Sequence, residues 1–467
     1  MTRPVRLDRL LDDVEVLELL GDPAATDVHA VAYDSRQSGP GTLFCSLPGL
    51  VLDGHDFAAG AVRAGARAIL CERFVPVDVV QVRVADARRS MAPIAAAFWD
   101  HPSRDLAVVG VTGTNGKTTT VHLLAAILEA GGRRTGVVGT LTGVRTTPEA
   151  PDLQARLAGF RADGMAAVAM EVSSHALELA RVDATRFAVA VFTNLGQDHL
   201  DFHGTVERYF AAKARLFDPA LAERAVVNAD DRYGRLLLDA ARVPTHPFSL
   251  DDARELDVTA DGSTFVWEGR QVRLRIGGVF NVANALAAAT TARELGVLPA
   301  TVADGLAQVV PLPGRFEPVD AGQPYTVIVD YAHTPDALEQ VLGAARSLGG
   351  RRLIVVFGCG GDRDHAKRPV MGEVAARLAD LVVLTSDNPR HEDPLAIIDE
   401  VRAGVRRPDV LVVEPDRRAA IALAVSEAEA GDVIVIAGKG HETGQAIGDD
   451  VVPFDDREVV REELART

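Results

Sequence analysis

At 467 residues the chain is too long for one typical hydrophobic core, and roughly 100–200 residues per domain predicts two to four domains. The composition, 47% hydrophobic, 25% charged and 5% aromatic, is that of a globular protein and excludes extensive disorder. The 49 basic and 66 acidic residues give a net charge of −17, which argues against nucleic acid and anionic membranes as partners.

The N-terminal residues and the cysteines indicate the compartment. Acidic residues interrupt MTRPVRLDRLLDDVEVLELL where a signal peptide needs an apolar run, and no run of about 18 apolar residues occurs in the chain. Cys45, Cys71 and Cys359 lack CxxC spacing, so neither a disulfide framework nor a zinc site is indicated. We expect a soluble cytoplasmic protein without membrane insertion.

Residues 1–104 predict a small α/β unit. The segment GTLFCSL (41–47) predicts a strand, and FAAGAVRAGARAILCE (57–72) predicts a helix followed by a strand.

Residues 105–318 predict a central domain in which strands and helices alternate. Such alternation is typical of a mostly parallel sheet with helices on both faces. The predicted elements are a strand and helix in LAVVGVTGTNGKTTTVHLLAAILEAGG (106–132), strands in AAVAMEV (166–172), FAVAVFTNL (187–195) and RAVVNADD (224–231), and a helix in NVANALAAATTARELG (281–296). The segment STFVWEGRQVRLRIGG (263–278) predicts an inserted hairpin that turns at Glu268–Gly269.

A segment rich in Pro and Gly, PLPGRFEPVDAGQP (311–324), predicts the linker to a third, C-terminal domain over residues 319–467. This domain is predicted to be Rossmann-like, with strands in YTVIVDYA (325–332), RLIVVFGC (352–359), LVVLTS (381–386) and DVIVIAG (432–438). The fold class is therefore α/β in three domains.

Polar clusters repeatedly follow the predicted strands. They are Gly113–Thr118, Glu171–His175, Asn194–His203, Asp330–His333, Gly360–Asp364, Asp387–Arg390 and Gly438–Glu442. Because ligands collect at the carboxyl ends of strands in open parallel sheets, these clusters predict a shared active cleft.

The sequence VTGTNGKTTT (111–120) predicts a phosphate-binding loop between a strand and a helix. Backbone N–H groups and the helix N-terminus can bind phosphate there, Lys117 can neutralise charge, and Thr118 offers a hydroxyl to Mg²⁺. The loop departs from the pattern GxxxxGK[ST] because Val111 takes the first glycine position. We expect the protein to bind a nucleotide.

Three further residues suit a metal or an anion near this loop. Glu171 ends an apolar strand and His199 follows another, and carboxylates with an occasional imidazole are suitable Mg²⁺ ligands. Lys213, in YFAAKARLF (209–217), shares a helix face with apolar neighbours, and a buried lysine is costly unless it is neutralised or paired. The alternative for Lys213 is an apolar stem that packs beside the core and carries its charge to water.

Ten motifs occur in one order and together resemble the Mur ligases, most closely the MurE ligases of that family. They are GTNGKT (113–118), EVSSHALELARV (171–182), TNLGQDHLDFHGT (193–205), YFAAKARLF (209–217), NVANALAA (281–288), LPGRFE (312–317), VDYAHTPDAL (329–338), GCGGDRD (358–364), DNPR (387–390) and GKGHE (438–442). The resemblance runs from AYDSRQSGPGTLF (32–44) almost to the C-terminus. Leu179, where some members have glutamine, and a short segment before Thr146 depart from the family pattern.

The resemblance implies an ATP-dependent ligase of peptidoglycan synthesis that adds meso-diaminopimelate to UDP-N-acetylmuramoyl-L-alanyl-D-glutamate through an acyl phosphate. The N-terminal domain would bind the UDP-sugar, the central domain ATP, and the C-terminal domain the amino acid. It also implies Mg²⁺ as cofactor and a carbamylated lysine at Lys213, and we expect a monomer.

The resemblance assigns the residues as follows. Gly113, Thr114, Asn115, Gly116, Lys117, Thr118, Thr119, Asn284, Arg315, Asp330 and His333 would bind the nucleotide, and Thr118, Glu171, His199 and Lys213 would serve Mg²⁺. Lys117, Lys213, His199 and Glu171 would be the catalytic residues. Ser35, Thr146, Thr147, Ser173 and Arg181 would contact the UDP-muramoyl peptide, and Arg363, Asp387, Asn388, Pro389, Arg390, Gly438 and Glu442 the amino acid.

The DNPR motif resembles the signature of the members that add diaminopimelate. The distal carboxylate and ammonium of that substrate call for a guanidinium fork together with acidic or amide acceptors, which this residue set supplies. The alternative for the DNPR motif is an ordinary Asx-Pro turn. The alternatives for the function of the whole protein are a folylpolyglutamate synthase-like ligase, a phosphate-loop NTPase switch that makes no bond, and a noncatalytic substrate-binding paralogue.

Overall fold

The computed structural model describes residues 4–49 and 52–466, which form three α/β units, each around its own sheet. The predicted three-domain α/β architecture is therefore confirmed, while the limits at 104/105 and 318/319 stay predictions. The predicted hairpin over 263–278 is also confirmed, with its turn at Glu268–Gly269.

The N-terminal unit has a five-stranded sheet in the order β2-β7-β6-β5-β4, parallel except for the edge strand β2. Its strands are β1 (Val5–Arg6), β2 (Val16–Leu20), β3 (Asp27–Val28), β4 (Ala30–Ala32), β5 (Thr42–Cys45), β6 (Ala68–Cys71) and β7 (Val80–Val84). Its helices are α1 (Leu7–Leu10), α2 (Ala58–Ala64) and α3 (Ala87–Phe98). The strands β1 and β3 form a separate antiparallel pair.

The central unit has a six-stranded sheet that is parallel throughout, in the order β13-β12-β11-β8-β10-β9. Its strands are β8 (Ala107–Thr112), β9 (Thr135–Val138), β10 (Ala167–Glu171), β11 (Val189–Phe192), β12 (Ala225–Asn228) and β13 (Thr245–Phe248). Its helices are α4 (Lys117–Ala130), α5 (Ala150–Ala162), α6 (Ser174–Glu178), α7 (Leu200–His203), α8 (Val206–Ala214), α9 (Arg232–Asp239), α10 (Val279–Glu294) and α11 (Pro299–Ala307). The central strands are almost wholly apolar because helices cover both faces of the sheet.

A second, antiparallel sheet lies beside the central one. It consists of β14 (Arg254–Val258), β15 (Ser263–Trp267) and β16 (Arg270–Leu274) in that order. The alternate residues Phe265, Trp267, Val272 and Leu274 are buried in the core that includes α4 and α10, as the period of two in a strand requires.

The C-terminal unit has a six-stranded sheet in the order β17-β18-β22-β19-β20-β21, parallel except for β17. Its strands are β17 (Glu317–Pro318), β18 (Thr326–Asp330), β19 (Leu353–Phe357), β20 (Leu381–Leu384), β21 (Leu411–Val413) and β22 (Val433–Ala437), followed by the hairpin β23 (Gly444–Ile447) and β24 (Asp450–Pro453). Its helices are α12 (Pro335–Ser347), α13 (Lys367–Leu378), α14 (Pro394–Arg402), α15 (Arg417–Glu427) and α16 (Asp456–Leu464).

The carboxyl ends of the central and C-terminal sheets face one cleft. The loops after β8, β10 and β11 meet the loops after β18, β19, β20 and β22 there. The shared cleft that the polar clusters predict is thus present in the structure. Among the described residues, no helix has both the length and the apolar composition needed to cross a membrane.

Candidate active site

The loop between β8 and α4 has the shape of a phosphate-binding loop. Gly116 has a φ of 86°, and a Cβ at this position would lie 2.3 Å from Asn284 Oδ1, so a side chain is excluded. Helix α4 begins at the next residue, Lys117, and its N-terminus opens towards a cavity of about 480 Å³. Free N–H groups at such a helix N-terminus are suited to bind an anion.

Two lysines converge on one backbone carbonyl of this loop. The Nζ atoms of Lys117 and Lys213 donate to the Gly113 oxygen at 2.9 and 2.8 Å. Lys213 is 1% exposed, and burial together with the Lys117 charge lowers its pKa well below the ordinary value. Burial also lowers the pKa of Lys117. Within the described residues no salt bridge reaches Lys213, which lies 4.5 Å from the Tyr209 ring centroid.

Thr118 and Glu171 place hard oxygen atoms beside the loop. Thr118 Oγ1 donates to Glu171 Oε1 at 3.0 Å, and the backbone N–H of Thr140 donates to the same carboxylate oxygen at 2.8 Å. Glu171 is 2% exposed and ends β10, next to β8, so adjacent parallel strands bring the two residues together. Hydroxyl and carboxylate oxygens are the ligands that Mg²⁺ prefers.

His199 lies in the segment after β11, beside Asp198. Its Nε2 is 3.3 Å from Asp198 Oδ2, and burial lowers the pKa of His199 to about 4. Burial alone would raise the pKa of Asp198, but His199, His333 and Lys367 outweigh it and lower that pKa. A neutral imidazole next to a carboxylate therefore faces the cleft at neutral pH.

The cavity of about 480 Å³ joins the central and C-terminal units. The predicted nucleotide and metal residues that line it are Thr114, Asn115, Gly116, Lys117, Thr118, Thr119, Glu171, His199, Asn284, Arg315, Asp330 and His333. Gly113 and Lys213 lie behind this wall, joined by the hydrogen bond described above. The volume is that of a typical small-molecule site.

The linker contributes Arg315 to the phosphate loop. Arg315 Nη2 donates to Thr118 Oγ1 at 3.3 Å, and the guanidinium carbon lies 4.6 Å from the Tyr331 ring centroid. Asp330 accepts from the backbone N–H of Phe316 at 2.7 Å, which anchors the linker to the end of β18. Burial raises the pKa of Asp330.

A second cavity of about 250 Å³ lies next to the first. The predicted amino-acid residues that line it are Arg363, Asp387, Asn388, Arg390, Gly438 and Glu442. Asp198, His199, Tyr331 and His333 line both cavities and form a shared wall. Pro389, by contrast, is buried in the turn and is not one of the lining residues.

The DNPR turn is built into its surroundings by hydrogen bonds. Arg390 Nη1 donates to the Gly361 carbonyl at 2.6 Å, and Asn388 Nδ2 donates to Glu442 Oε2 at 2.8 Å. Burial and the nearby Arg363 charge lower the pKa of Arg390. Two guanidinium groups thus share this cavity with the carboxylates of Asp387 and Glu442, so it offers both signs of charge.

The residues predicted for the UDP-muramoyl peptide fall into two groups. Thr146 and Ser173 line the larger cavity, and Thr147 Oγ1 accepts from the Ser173 N–H at 3.0 Å. Arg181 donates to the Thr147 carbonyl at 3.2 Å and pairs with Glu149.

Ser35 lies apart from this group, in a single 3₁₀ turn (Ser35–Gln37) of the N-terminal unit. Ser35, Thr147 and Arg181 are not among the described residues that line either cavity.

The structure also brings into the cleft residues that the sequence analysis did not single out. Asp198 and Tyr331 separate the two cavities, and Lys439 lies directly behind the smaller one. All three lie within polar clusters after strands, which is the signal that could have identified them. Asp336 accepts from the Gln197 N–H at 2.6 Å across the cleft, and no local pattern predicts such a contact.

The described residues contain no group of three or more His, Cys, Asp or Glu side chains close enough together to hold a metal ion by themselves. The Thr118 and Glu171 oxygens are compatible with Mg²⁺ as a partial ligand set that leaves positions for other ligands.

Three family models match the chain. The Mur ligase middle domain matches residues 111–292, the Mur ligase, glutamate ligase domain matches residues 314–440, and the Mur ligase family, catalytic domain matches residues 27–100. These matches cover parts of all three units.

Full-length relatives give the same result. A protein of Solibacter usitatus named UDP-N-acetylmuramoyl-L-alanyl-D-glutamate--2,6-diaminopimelate ligase is 46% identical over 485 residues, covering 98% of both chains. A Streptomyces coelicolor protein of the same name is 45% identical and covers 100% of this chain and 98% of its own. A solved structure of a ligase of that name is 33% identical, with a TM-score of 0.69 over 99% of both chains. With this identity over nearly its whole length, the chain belongs to the Mur ligase family.

Proposed function

We propose that this chain is an ATP-dependent ligase that joins meso-diaminopimelate to UDP-N-acetylmuramoyl-L-alanyl-D-glutamate. The observation that carries this proposal is the pair of adjacent cavities that share a wall of Asp198, His199, Tyr331 and His333. A carboxylate activated beside the phosphate loop can be reached from the other cavity by an amine. The names of the full-length relatives support the same reaction.

The larger cavity would bind ATP and the end of the muramoyl peptide. The loop Gly113–Thr119 would hold the phosphates through its N–H groups and Lys117, and Asn284, Arg315, Asp330 and His333 would contact adenine, ribose or phosphate. The γ-phosphoryl group would transfer to the D-glutamyl side-chain carboxylate with release of ADP. The resulting acyl phosphate would then be attacked by the amine, and phosphate would leave.

The ligands present at the loop are suitable for Mg²⁺. Thr118 and Glu171 would hold one ion, and His199 with a carbamylated Lys213 would serve a second. Bound Mg²⁺ would supply charge neutralisation for the transferring phosphoryl group. The neutral state of His199 suits this task, because an imidazolium would repel a cation.

Lys213 is suited to carbamylation because its environment favours the free amine. The neutral Nζ would attack CO₂, a new N–C bond would form, and one proton would leave to solvent. The product is an anion that can interact favourably with Lys117, whereas an ammonium at Lys213 faces a like charge at the same carbonyl. Carbamylation would replace the repulsion between the Lys117 and Lys213 charges with an attraction, and this electrostatic gain is the reason to expect it.

The three units would divide the substrates between them. We assign residues 1–104 to the UDP-sugar, 105–318 to ATP and 319–467 to the amino acid. Ser35 of the first unit and the group Thr146, Thr147, Ser173 and Arg181 would contact the UDP-muramoyl peptide. Catalysis would then require the N-terminal and central units to bind the same UDP-muramoyl peptide at the same time.

The smaller cavity would select the amino acid. Arg390 would pair its planar guanidinium with the distal carboxylate of diaminopimelate, and Arg363 would add a second positive charge. Asp387 and Glu442 would face the distal ammonium, Asn388 and Gly438 would shape the pocket, and Pro389 would fix the conformation of the turn behind it. L-Lysine lacks the distal carboxylate and would leave Arg390 unmatched.

We further propose an oligomeric state, a compartment and a role in the cell for this enzyme. The enzyme would act as a monomer in the cytoplasm, where ATP and UDP-linked precursors are found, and would support peptidoglycan synthesis, cell shape and cell division. It would use neither nucleic acid nor a membrane.

The alternatives predict different behaviour. A folylpolyglutamate synthase-like ligase would have no use for an N-terminal α/β unit and a DNPR turn. A nucleotide switch would hydrolyse ATP without an amine. It would not explain why the smaller cavity has a charged lining. A noncatalytic paralogue would release no phosphate at all.

Phosphate release from ATP in the presence of UDP-N-acetylmuramoyl-L-alanyl-D-glutamate tests the proposal. The expected result is rapid release with meso-diaminopimelate, slow release with L-lysine, and least release with no amine. Equal release in all three reactions would favour the switch, and preference for L-lysine would overturn the substrate assignment.

A further inference from the structure

A completely buried lysine lies directly behind the smaller cavity. Lys439 is 0% exposed and follows Gly438, whose φ of 117° carries the backbone closely past the DNPR turn. A Cβ at Gly438 would lie 2.4 Å from Asp387 Oδ2, so this approach requires glycine. Lys439 is not one of the residues that line the cavity, so any effect on a bound amino acid must pass through its neighbours.

The Lys439 side chain closes a triangle with two residues that do line the cavity. Its Nζ donates to Asn388 Oδ1 at 2.9 Å and to Glu442 Oε2 at 3.0 Å. Asn388 Nδ2 donates to the same Glu442 oxygen at 2.8 Å. All three sides of the triangle are hydrogen bonds within ordinary distances.

This triangle fixes the orientation of the Asn388 amide. A lysine ammonium can only donate, and the backbone N–H of Ala446 also donates to Asn388 Oδ1, at 2.9 Å. Two donors therefore face one end of the amide, and that end must be the oxygen. The Asn388 side chain consequently presents N–H, and not a carbonyl oxygen, beside Glu442.

The same triangle holds Glu442 in its charged state. Burial raises the pKa of Glu442, but the Lys439 charge and the hydrogen bonds from Asn388 and Lys439, with a smaller contribution from His333, outweigh it, so the pKa lies below the ordinary value. Loss of the Lys439 charge would therefore raise the pKa of Glu442. A half-buried carboxylate at the cavity would then take up a proton at a higher pH.

We propose that Lys439 is a positioning residue for amino-acid selection, which fixes Asn388 as a donor and keeps Glu442 as an anionic acceptor. This inference rests on the proposed function, because it concerns the pocket for diaminopimelate. The fixed polarity matches a head group that carries a carboxylate and an ammonium together. Without Lys439, only the Ala446 N–H would face the Asn388 oxygen and Glu442 would take up a proton at a higher pH, so the pocket would discriminate less.

The substitution Lys439→Met tests this role because methionine is a similar length but carries neither charge nor donor. The value of kcat/KM for meso-diaminopimelate is expected to fall about 10-fold, mainly through KM, while KM for ATP stays unchanged. In the profile of kcat/KM for meso-diaminopimelate against pH, the acidic limb is expected to move to higher pH. A merely structural residue would change both KM values and leave that limb in place.

A second variant keeps the test decisive if Lys439→Met does not fold. Lys439→Gln retains a donor for Asn388 and loses the charge, so it is expected to shift the acidic limb with a smaller rise in KM. In the Glu442→Gln background, which has no carboxylate to titrate at this position, Lys439→Gln is expected to cause no shift of the limb. A shift of the same size in that background would overturn the proposed route through Glu442.

The outcomes for native protein separate this inference from the proposed function. If native protein prefers L-lysine or needs no amine, the proposed function fails whatever Lys439 does. If native protein uses meso-diaminopimelate and both Lys439 variants keep the native pH profile, only the positioning role fails.

Discussion

Among the described residues, Lys213 and Lys439 are the two lysines with at most 1% exposure, and their surroundings are opposite. Lys439 donates to Glu442 and Asn388, so its charge has a partner. Lys213 donates to the Gly113 carbonyl, which already accepts from Lys117, and the neighbouring charge is of the same sign. Burial alone therefore does not decide what a lysine does. The paired lysine holds a pocket in shape, and the unpaired lysine is suited to react.

The energetic reason is the cost of a charge out of water. A buried ammonium is tolerated when a carboxylate compensates for the lost solvation, and it otherwise gives up its proton. The pKa of Lys213 is lowered well below its ordinary value by burial and by Lys117. A lower pKa increases the fraction of free amine, which is the form that can combine with CO₂.

The largest expected effect comes from removal of the unpaired lysine. Lys213→Ala should fold and should lose activity about 10²- to 10³-fold, because the anionic carbamate that would serve the second Mg²⁺ is lost. A small added carboxylate such as formate should restore part of the rate, measured as ADP release. The matched control is Lys439→Met, which loses a buried lysine without leaving a site for an anion and should show no rescue.

Near-normal turnover of Lys213→Ala, or of native protein in buffer depleted of CO₂, would contradict the carbamate. An added carboxylate that rescues both lysine variants equally would remove the contrast between the two sites.

The next effect concerns the pocket that the paired lysine supports. Arg390→Ala should lower kcat/KM for meso-diaminopimelate roughly 30-fold or more, because a charge partner in a desolvated pocket is lost. The value of KM for ATP should change little. Arg390→Lys is the matched control, since it keeps the charge and loses the planar fork, and it should recover only part of the loss.

An equal loss for meso-diaminopimelate and L-lysine would show that the DNPR turn acts only as a structural element. In that case both the selectivity of Arg390 and the distinction between the two lysine sites would need revision.

A smaller effect on kcat is expected from a contact between the central unit, which contains Lys213, and the C-terminal unit, which contains Lys439. Asp336 of α12 accepts from the Gln197 N–H at 2.6 Å, which joins the C-terminal unit to the central one. Asp336→Ala should lower kcat about 3- to 10-fold through loss of this hydrogen bond. Glu339→Ala on the same helix removes only the surface pair with Arg377 and should leave kcat unchanged.

Small-angle scattering measures whether the Asp336 contact affects the overall dimensions of the protein. Native protein should become more compact with substrates and a nonhydrolysable ATP analogue, and Asp336→Ala should do so less completely. Identical dimensions of native protein with and without these ligands would count against closure.

The smallest effect is a pH dependence of stability in which both sites take part. Burial lowers the pKa of His203, near Lys213, and of His441, near Lys439, to about 4. Between the ordinary histidine pKa of about 6.5 and this value, the unfolded chain binds more protons than the folded one. Stability should therefore fall as pH drops through this window.

Thermal unfolding measures this pH dependence. The double variant His203→Gln and His441→Gln should flatten the melting temperature against pH by a few degrees over this window. Parallel curves for native and variant protein would show that other groups control the acid response.

The sequence predicts the architecture well, because the physical signals for it are local. Apolar runs such as AAVAMEV and FAVAVFTNL correspond to β10 and β11, and turn residues mark the hairpin over 263–278. The phosphate loop could also be located, since the Gly113–Thr118 cluster lies between a strand and a helix. Short edge strands such as β14 and β21 were not predicted, because few alternating residues define them.

The tertiary contacts of the site could not be predicted in the same way. Lys117 and Lys213 are 96 positions apart and share one carbonyl only because α8 packs beside the loop after β8. The triangle of Lys439, Asn388 and Glu442 likewise joins loops that follow two different strands. The role of such residues depends on partners that are distant in sequence, so residue type and local pattern give only candidates.

A competition experiment tests the central claim most directly. Native protein would receive ATP, Mg²⁺, UDP-N-acetylmuramoyl-L-alanyl-D-glutamate and equal concentrations of meso-diaminopimelate and L-lysine, and the nucleotide products would be separated by mass. A site that pairs with a distal carboxylate should give an excess of the diaminopimelate product of at least about 10²-fold. Equal amounts of the two products, or an excess of the lysine product, would contradict the account.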